Sequence, residues 1–414
     1  MLTACFVCQN AVVTSVKMAS ASQLVLVTWL IHQPHVWAVS VTEFRPTDCP
    51  PDCLCGVGTS LSPLPVKGYF ATVSCVNGKL VDLPARLPST TSIAVLRGNA
   101  ITSTAVGLAL PARLTELDLS YNVIDDVTMT SPAHLLRHLD LQHNIIQRLS
   151  STSFTGLSHL SVLLLGYNHI TRLNTSCFRP LADLRWLSLA GNKLTALTPK
   201  QFRNVLPHLG HLDLSRNQIE DFPGDALSGL GSLRELDMSH NRLSRLPQRS
   251  FVGLEALARL DLTGNRLENV PNDALKVFES LNSLILDDNR LTSLRSRRFA
   301  GLAVKLISVS RMSHLRFVDV EAFFGVKRLA TVALHDNPRL AYVSEHLVGS
   351  RTMSAGVFNV QLHHNQLSVI GNMTSTLPSL RELTLYGNPL RCSCHNDWIQ
   401  QTVLSEIFVI PLLN

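Results

Sequence analysis

A solenoid, in which stacked repeats share one continuous core, is the fold class that this 414-residue chain predicts. Three observations carry the prediction. Twelve asparagines recur at spacings of 22 to 48 residues: Asn99, Asn122, Asn144, Asn168, Asn192, Asn217, Asn241, Asn265, Asn289, Asn337, Asn365 and Asn388. Leucine-like residues stand at fixed offsets from each. The one 48-residue gap hides a degenerate copy with Met312 in the asparagine position, so the period is about 24 residues. Such a coil presents one long surface and no single buried pocket, which favours binding over catalysis.

One repeat shows how the pattern works. In Leu114-Thr-Glu-Leu117-Asp-Leu119-Ser-Tyr-Asn122-Val-Ile124, Leu117 and Leu119 alternate with polar neighbours at strand period and point into the core. Glu116, Asp118 and Ser120 then face the other side of the sheet. Asn122 ends the strand, where its amide can bond the turning backbone and that of the neighbouring repeat. Stacked asparagines would form a ladder that satisfies buried backbone groups along the coil. The other half of each repeat carries Phe-x-x-Leu, as in Phe154-Thr-Gly-Leu157, Phe178-Arg-Pro-Leu181 and Phe251-Val-Gly-Leu254, which fills the far side of the core under short helical or extended turns.

This unit resembles the leucine-rich repeat of the long, extracellular type. The resemblance covers residues 91–391, about three quarters of the chain, in about thirteen copies. It implies an α/β solenoid: a leucine-rich repeat horseshoe with a parallel β-sheet on the concave face. One segment breaks step. Residues 304–318 lack the asparagine, Asn337-Pro-Arg-Leu340 displaces the following leucine, and the repeat before Asn365 is 28 residues long. Insertion on the convex side is the plain reading, and a local change of curvature is the sharper one.

Residues 1–40 lie outside the repeat and read as a secretory signal, with Met18 as an alternative start. The apolar stretch Leu24-Val-Leu-Val-Thr-Trp-Leu-Ile31 is too short to span a bilayer, and small residues follow at Ala38 and Ser40. No later stretch reaches 18 apolar residues. Cysteine usage agrees with export. Cys5 and Cys8 would leave with the leader. Cys49, Cys53, Cys55 and Cys75 form an even group whose spacing does not suit a zinc knuckle, Cys392 and Cys394 form a second pair, and Cys177 stands alone. Four cysteines allow three connectivities. For Cys177, a buried free thiol is set against an intermolecular bridge.

The region 41–90 resembles the cysteine-rich N-terminal cap of secreted leucine-rich repeat proteins. That resemblance implies a disulfide-bonded cap pairing Cys49 with Cys55 and Cys53 with Cys75. Asn388-Pro-Leu-Arg-Cys392-Ser-Cys394-His-Asn-Asp-Trp398 looks like the opening of the matching C-terminal cap. Its two later cysteines do not occur in residues 392–414, so the expectation is a cap that starts and does not finish. Asn174-Thr-Ser and Asn372-Met-Thr are glycosylation sequons.

Candidate chemistry is sparse. Net charge is +6, without a block of five like charges, and the densest basic stretch, Arg295-Ser-Arg297-Arg298, reads as a solvated turn. The Ser, Asp and His residues recur with the repeat and so fall on separate rungs. No nucleophile elbow, phosphate loop or metal-binding helix motif is present in the sequence. No enzyme activity, cofactor, metal or nucleic-acid partner is expected. His363-His364 reads as adjacent in a strand, with its rings on opposite faces.

The column between the inward leucines reads Asp118, Asp140, Leu164, Ser188, Asp213, Asp237, Asp261, Ile285, mostly a solvated surface. Its exceptions stand out: Val162, Leu164 and Tyr167 on one rung and Trp186 on the next form a candidate partner-binding patch, since exposed apolar patches and aromatic residues mark contact sites. The alternative is that these side chains cover one another or lie under a glycan at Asn174. The whole plan resembles the slit, connectin, chaoptin and Toll-ectodomain families. That implies an extracellular recognition module, secreted or at the cell surface, engaging a protein by ligand binding or adhesion through the concave face. Membrane attachment would need an anchor beyond residue 414. The N-terminal cysteine spacing and Asn337-Pro also resemble tsukushi of the small leucine-rich proteoglycan group, which implies a matrix protein binding growth factors or collagen. The Cys392-x-Cys394 cap does not fit that group.

Overall fold

The structure is a computed structural model. It describes residues 49–399 apart from 52, 66–67, 79, 85–86, 105–109, 130–133, 199–200, 203–204, 221, 350–355 and 392–394, together with the strand dipeptides Val16–Lys17 and Thr42–Glu43. The leader reading, Cys392, Cys394 and residues 400–414 lie outside the described residues. The chain forms a parallel β-sheet solenoid, resolved into two compact units.

The N-terminal unit comprises residues 27–237 with 249–254. It opens on an antiparallel hairpin, Leu54–Gly58 with Phe70–Ser74, edged by Thr42–Glu43. Cys49–Cys55 and Cys53–Cys75 are disulfide-bonded, the pairing that the cap resemblance implies. Phe70–Ser74 also pairs in parallel with Ile93–Val95 and so hands the hairpin on to the repeats. Glu116–Asp118, His138–Asp140, Val162–Leu164, Trp186–Ser188, His211–Asp213 and Glu235–Asp237 follow in step, one strand per repeat.

The alternation read from the sequence places Leu117, Leu119 and Ile124 in the core, each at most 1% exposed. Across the core, Phe154, Phe178 and Phe202 stack at centroid distances of 6.3 and 6.1 Å. Short pairings such as Arg148–Leu149 with Arg172–Leu173 close the far side.

Each ladder asparagine ties its own turn to the rung before it. The Asn122 amide donates to Leu119 O and Ser120 O on its own rung and to Leu96 O on the preceding one, while its Oδ1 accepts from Ile101 N. The side chain therefore does what backbone cannot where the strand ends, satisfying groups with no water to turn to.

The C-terminal unit comprises residues 238–248 and 255–414 with 1–26. Arg259–Asp261, Leu281–Ile285, Val304–Ser308, Thr331–Ala333, Asn359–Gln361 and Glu382–Thr384 run parallel without a slip. The asparagine-less rung thus keeps its place in the sheet. Met312 is fully buried and its N–H donates to Asn337 Oδ1, but a thioether has no donor to return to the rung before. Instead, Asn289 N sits 3.2 Å from its sulfur. At the far end, Asn396 accepts from Ile370 N and Trp398 Nε1 donates to Ile370 O, which closes over the last core layer. Among the described residues no helix is long and apolar enough to cross a membrane.

Candidate recognition surface

The sheet's outer face starts under a cover. Ser60 Oγ and Leu61 N, from the connection inside the N-terminal hairpin, donate to the Glu116 carboxylate at 2.5 and 2.6 Å. Burial pushes the Glu116 pKa up, against the pull of these two bonds. The segment leaves a cavity of about 360 Å³, lined by Phe70, Leu64, Glu116, Arg137, His138 and Arg185 among others. His138 is 2% exposed, its Nδ1 has no partner, and burial lowers its pKa to about 4.

The aspartate column, expected to be solvated, is buried at its first residue and half-buried at its second. Asp118 is 7% exposed, and Asp140 is half-buried beside it. The column also shapes the chain locally. Asp118, Asp140, Asp213 and Asp261 each accept the backbone N–H two residues on, at 2.8 to 3.0 Å. This fixes the turn out of the strand.

Burial, and then repulsion from Asp118, push the Asp140 carboxyl up to about 8. Its folded pKa thus lies above its ordinary value of 3.8. The associated stability is complete below pH 4 and is lost as pH rises towards 8. Asparagine keeps the acceptor and has no proton to lose. Asp140→Asn should therefore raise the melting temperature, by more at pH 8 than at pH 5. Equal gains in thermal melts at both pH values would sink this account. His138 acts in the opposite sense, its stabilisation being lost as pH falls from 6.5 towards 4.

The four residues singled out from the sequence are not one patch. Val162 is fully buried on its strand, paired with His138 on one side and Trp186 on the other. Leu164 is half-buried in the middle column beside Asp140 and Ser188. Trp186, at the strand start, stacks on His211 at 3.7 Å, and His211 Nδ1 lies 3.2 Å from the Glu235 carboxylate. Tyr167, 45% exposed, stands five residues along its rung from Val162, at the turn.

That turn position carries a second surface which the sequence did not announce. The residue before each ladder asparagine has left-handed backbone, as at Tyr121, His143, Tyr167 and Arg216, with φ of 53 to 55°. Its side chain leans over the next rung. Tyr121 stacks on His143 at 4.1 Å, His143 on Tyr167 at 4.5 Å, and the Arg97 guanidinium sits 5.0 Å above Tyr121. The run ends at Gly191, where a Cβ would stand 2.7 Å from the Tyr167 ring.

In the C-terminal unit the left-handed turn position and the residue before it gather polar rings. His335 and His363 occupy one column on paired rungs and stack at 4.5 Å, with Tyr386 beyond His363 at 4.6 Å. Asp336 accepts from His335 Nδ1 at 2.7 Å and from His364 Nδ1 at 2.8 Å. Burial raises the Asp336 pKa, but the two histidine bonds outweigh it and hold the carboxyl below its usual range. The opposite-face reading of His363 and His364 is corrected: their rings meet edge to face at 5.3 Å. The strand ends at Gln361 and His364 has φ of 54°, so strand alternation no longer applies.

Elsewhere, Cys177 is buried and unbonded, and burial pushes its thiol up to about 12. Asn174 and Asn372 are exposed. Arg297 pairs with Glu321 and lies over the Phe324 ring, as a structured turn would.

Comparison with known sequences and structures follows the same lines. Residues 134–194, 183–243, 207–267, 238–291 and 255–311 match the family model described as leucine rich repeat, and residues 113–128 match a second model of the same description. The chain is similar to one in the crystal structure of a TLR13–ssRNA13 complex, at 24% identity and a TM-score of 0.62, over 76% of this chain and 53% of that one. It thus spans about half the length of that protein. It is also similar to a chain of the octameric complex of Latrophilin 3, Unc5D and FLRT2, at 20% identity and a TM-score of 0.50, over 80% and 86% of the two chains. A repeat protein of Leptospira interrogans matches at 20% identity and a TM-score of 0.49, over 78% and 92%. At these identities the likeness concerns the fold.

Proposed function

Because this chain is a leucine-rich repeat solenoid, we propose that it is an extracellular recognition module that binds a protein through the outer face and turn rim of its N-terminal unit. The observation that carries the reading is the concentration of rings there. Trp186 on His211 lies at the strand start, and the stack of Arg97, Tyr121, His143 and Tyr167 lies at the turns. Flat, pre-stacked rings lose little side-chain freedom on contact, and Trp, Tyr and Arg dominate binding hot spots. Two disulfides in the cap and the leader-like residues 1–40 support an oxidising, extracellular setting. Two chains of similar fold come from complexes, one with ssRNA13 and one with Latrophilin 3 and Unc5D, which is compatible with a binding role for this fold.

A binding screen of the full chain against cell-surface and secreted proteins should recover a partner. Replacing Leu164 and Trp186 by Ser should weaken that binding roughly 30-fold or more, the scale of a lost hot spot, while leaving the melting temperature within a few degrees. Unchanged affinity for a partner recovered in this way would remove the N-terminal face as the contact.

A further inference from the structure

We infer that His335, Asp336 and His363 form a binding site for one divalent transition-metal ion of the zinc class, with His364 as its outer support. One ligand atom from each of the three lies within 4.8 Å of the other two. Atoms sharing a tetrahedral zinc at about 2.0 Å stand about 3.3 Å apart, so the set must close by at most about 1.5 Å.

The backbone already places them. Ala333 pairs with Gln361, so His335 and His363 stand in one column on adjacent rungs of a hydrogen-bonded sheet, and Asp336 sits beside them on the left-handed turn. Closing the site is a side-chain movement. Stacked imidazoles, only 6° from parallel, point their in-plane lone pairs side by side, so one ring must turn about its last torsion. That torsion is broad and soft.

The chemistry also fits. Asp336 has histidines for hydrogen-bond partners on both oxygens, and no lysine or arginine among the described residues is paired with it. When a metal takes the oxygen now bonded to His335, the other oxygen keeps His364 Nδ1, and such carboxylate–histidine contacts orient metal ligands in general. His363 Nδ1 is held at 2.9 Å by Thr384 Oγ1, which leaves its Nε2 as the free ligand atom. Two imidazoles and one carboxylate select zinc, nickel or copper over magnesium or calcium. The open fourth position, on a half-exposed rim, would be filled by water or by a partner's side chain.

The test is calorimetric titration of the full chain with zinc chloride alone, then with magnesium and calcium. The expected result is a site of micromolar or tighter affinity for zinc and none for the other two. His335→Gln, Asp336→Asn and His363→Gln should each weaken zinc binding tenfold or more while the metal-free melting temperature stays put. A control, His159→Gln, should change nothing. Cobalt should give a visible d–d band that His363→Gln abolishes. Zinc affinity unchanged in all three variants, or no zinc binding by the parent chain, would overturn the site.

Discussion

Replacing Asn168 by alanine is expected to lower the stability of the N-terminal unit by about 3–5 kcal/mol, an effect as large as emptying a core position. The side chain is 2% exposed and makes four bonds. Its amide donates to Leu165 O and Gly166 O on its own rung and to Leu141 O on the rung before, and its Oδ1 accepts from Ile146 N. Alanine leaves an N–H and shared carbonyls buried without that partner, each such group costing about 1–3 kcal/mol. Because a solenoid is coupled rung to neighbouring rung, the loss is felt by both turns at once. Urea denaturation followed by far-ultraviolet dichroism measures it. A loss below about 1 kcal/mol would mean that water replaces the amide and that the ladder is not what holds consecutive turns together.

Phe178→Ala should cost a similar amount, about 3–5 kcal/mol, for a different reason. Its ring is 1% exposed and lies between those of Phe154 and Phe202, so truncation removes the middle of a three-ring stack and opens a cavity that rigid neighbouring turns cannot collapse into. The comparison variant is Tyr167→Ala, whose ring is 45% exposed and should cost under about 1 kcal/mol. Scanning calorimetry on both variants separates core from rim. Similar losses in the two would contradict the assignment of Phe178 to the packed interior.

Most of the fold was legible because a period carries information many times over. The asparagine spacing fixes which residues leave the strand, and the alternation before each asparagine fixes which leucines turn inward, as Leu117 and Leu119 do. The disulfide pairing came with the cap resemblance and is present in the structure. The surface was harder to read. Val162 was read as part of an exposed patch, yet it is buried, because exposure depends on neighbours on other rungs, which period alone does not weigh. The cover over Glu116 is made by a connection with no periodic signal. The stack through Tyr121 and His143, and the meeting of His363 with His364, depend on a left-handed turn where strand alternation stops. The sequence does hold one clue to them: a bulky ring standing one residue before an asparagine in consecutive copies.

The glycines among those turn positions have a consequence for how the molecule can change. In the N-terminal unit Gly98 and Gly191 bracket Tyr121, His143 and Tyr167, and in the C-terminal unit Gly264 and Gly387 bracket Asp288, Arg311, Asp336 and His364. A side chain at Gly191, Gly264 or Gly387 would collide with the ring leaning over it from the previous rung. The glycines therefore act as word breaks along the rim. Substitutions within one bracketed run can alter its chemistry without disturbing the rings of the next. A lineage carrying this coil can rewrite one word of its surface while keeping the rest of the sentence, so that new specificities arise without renegotiating the fold.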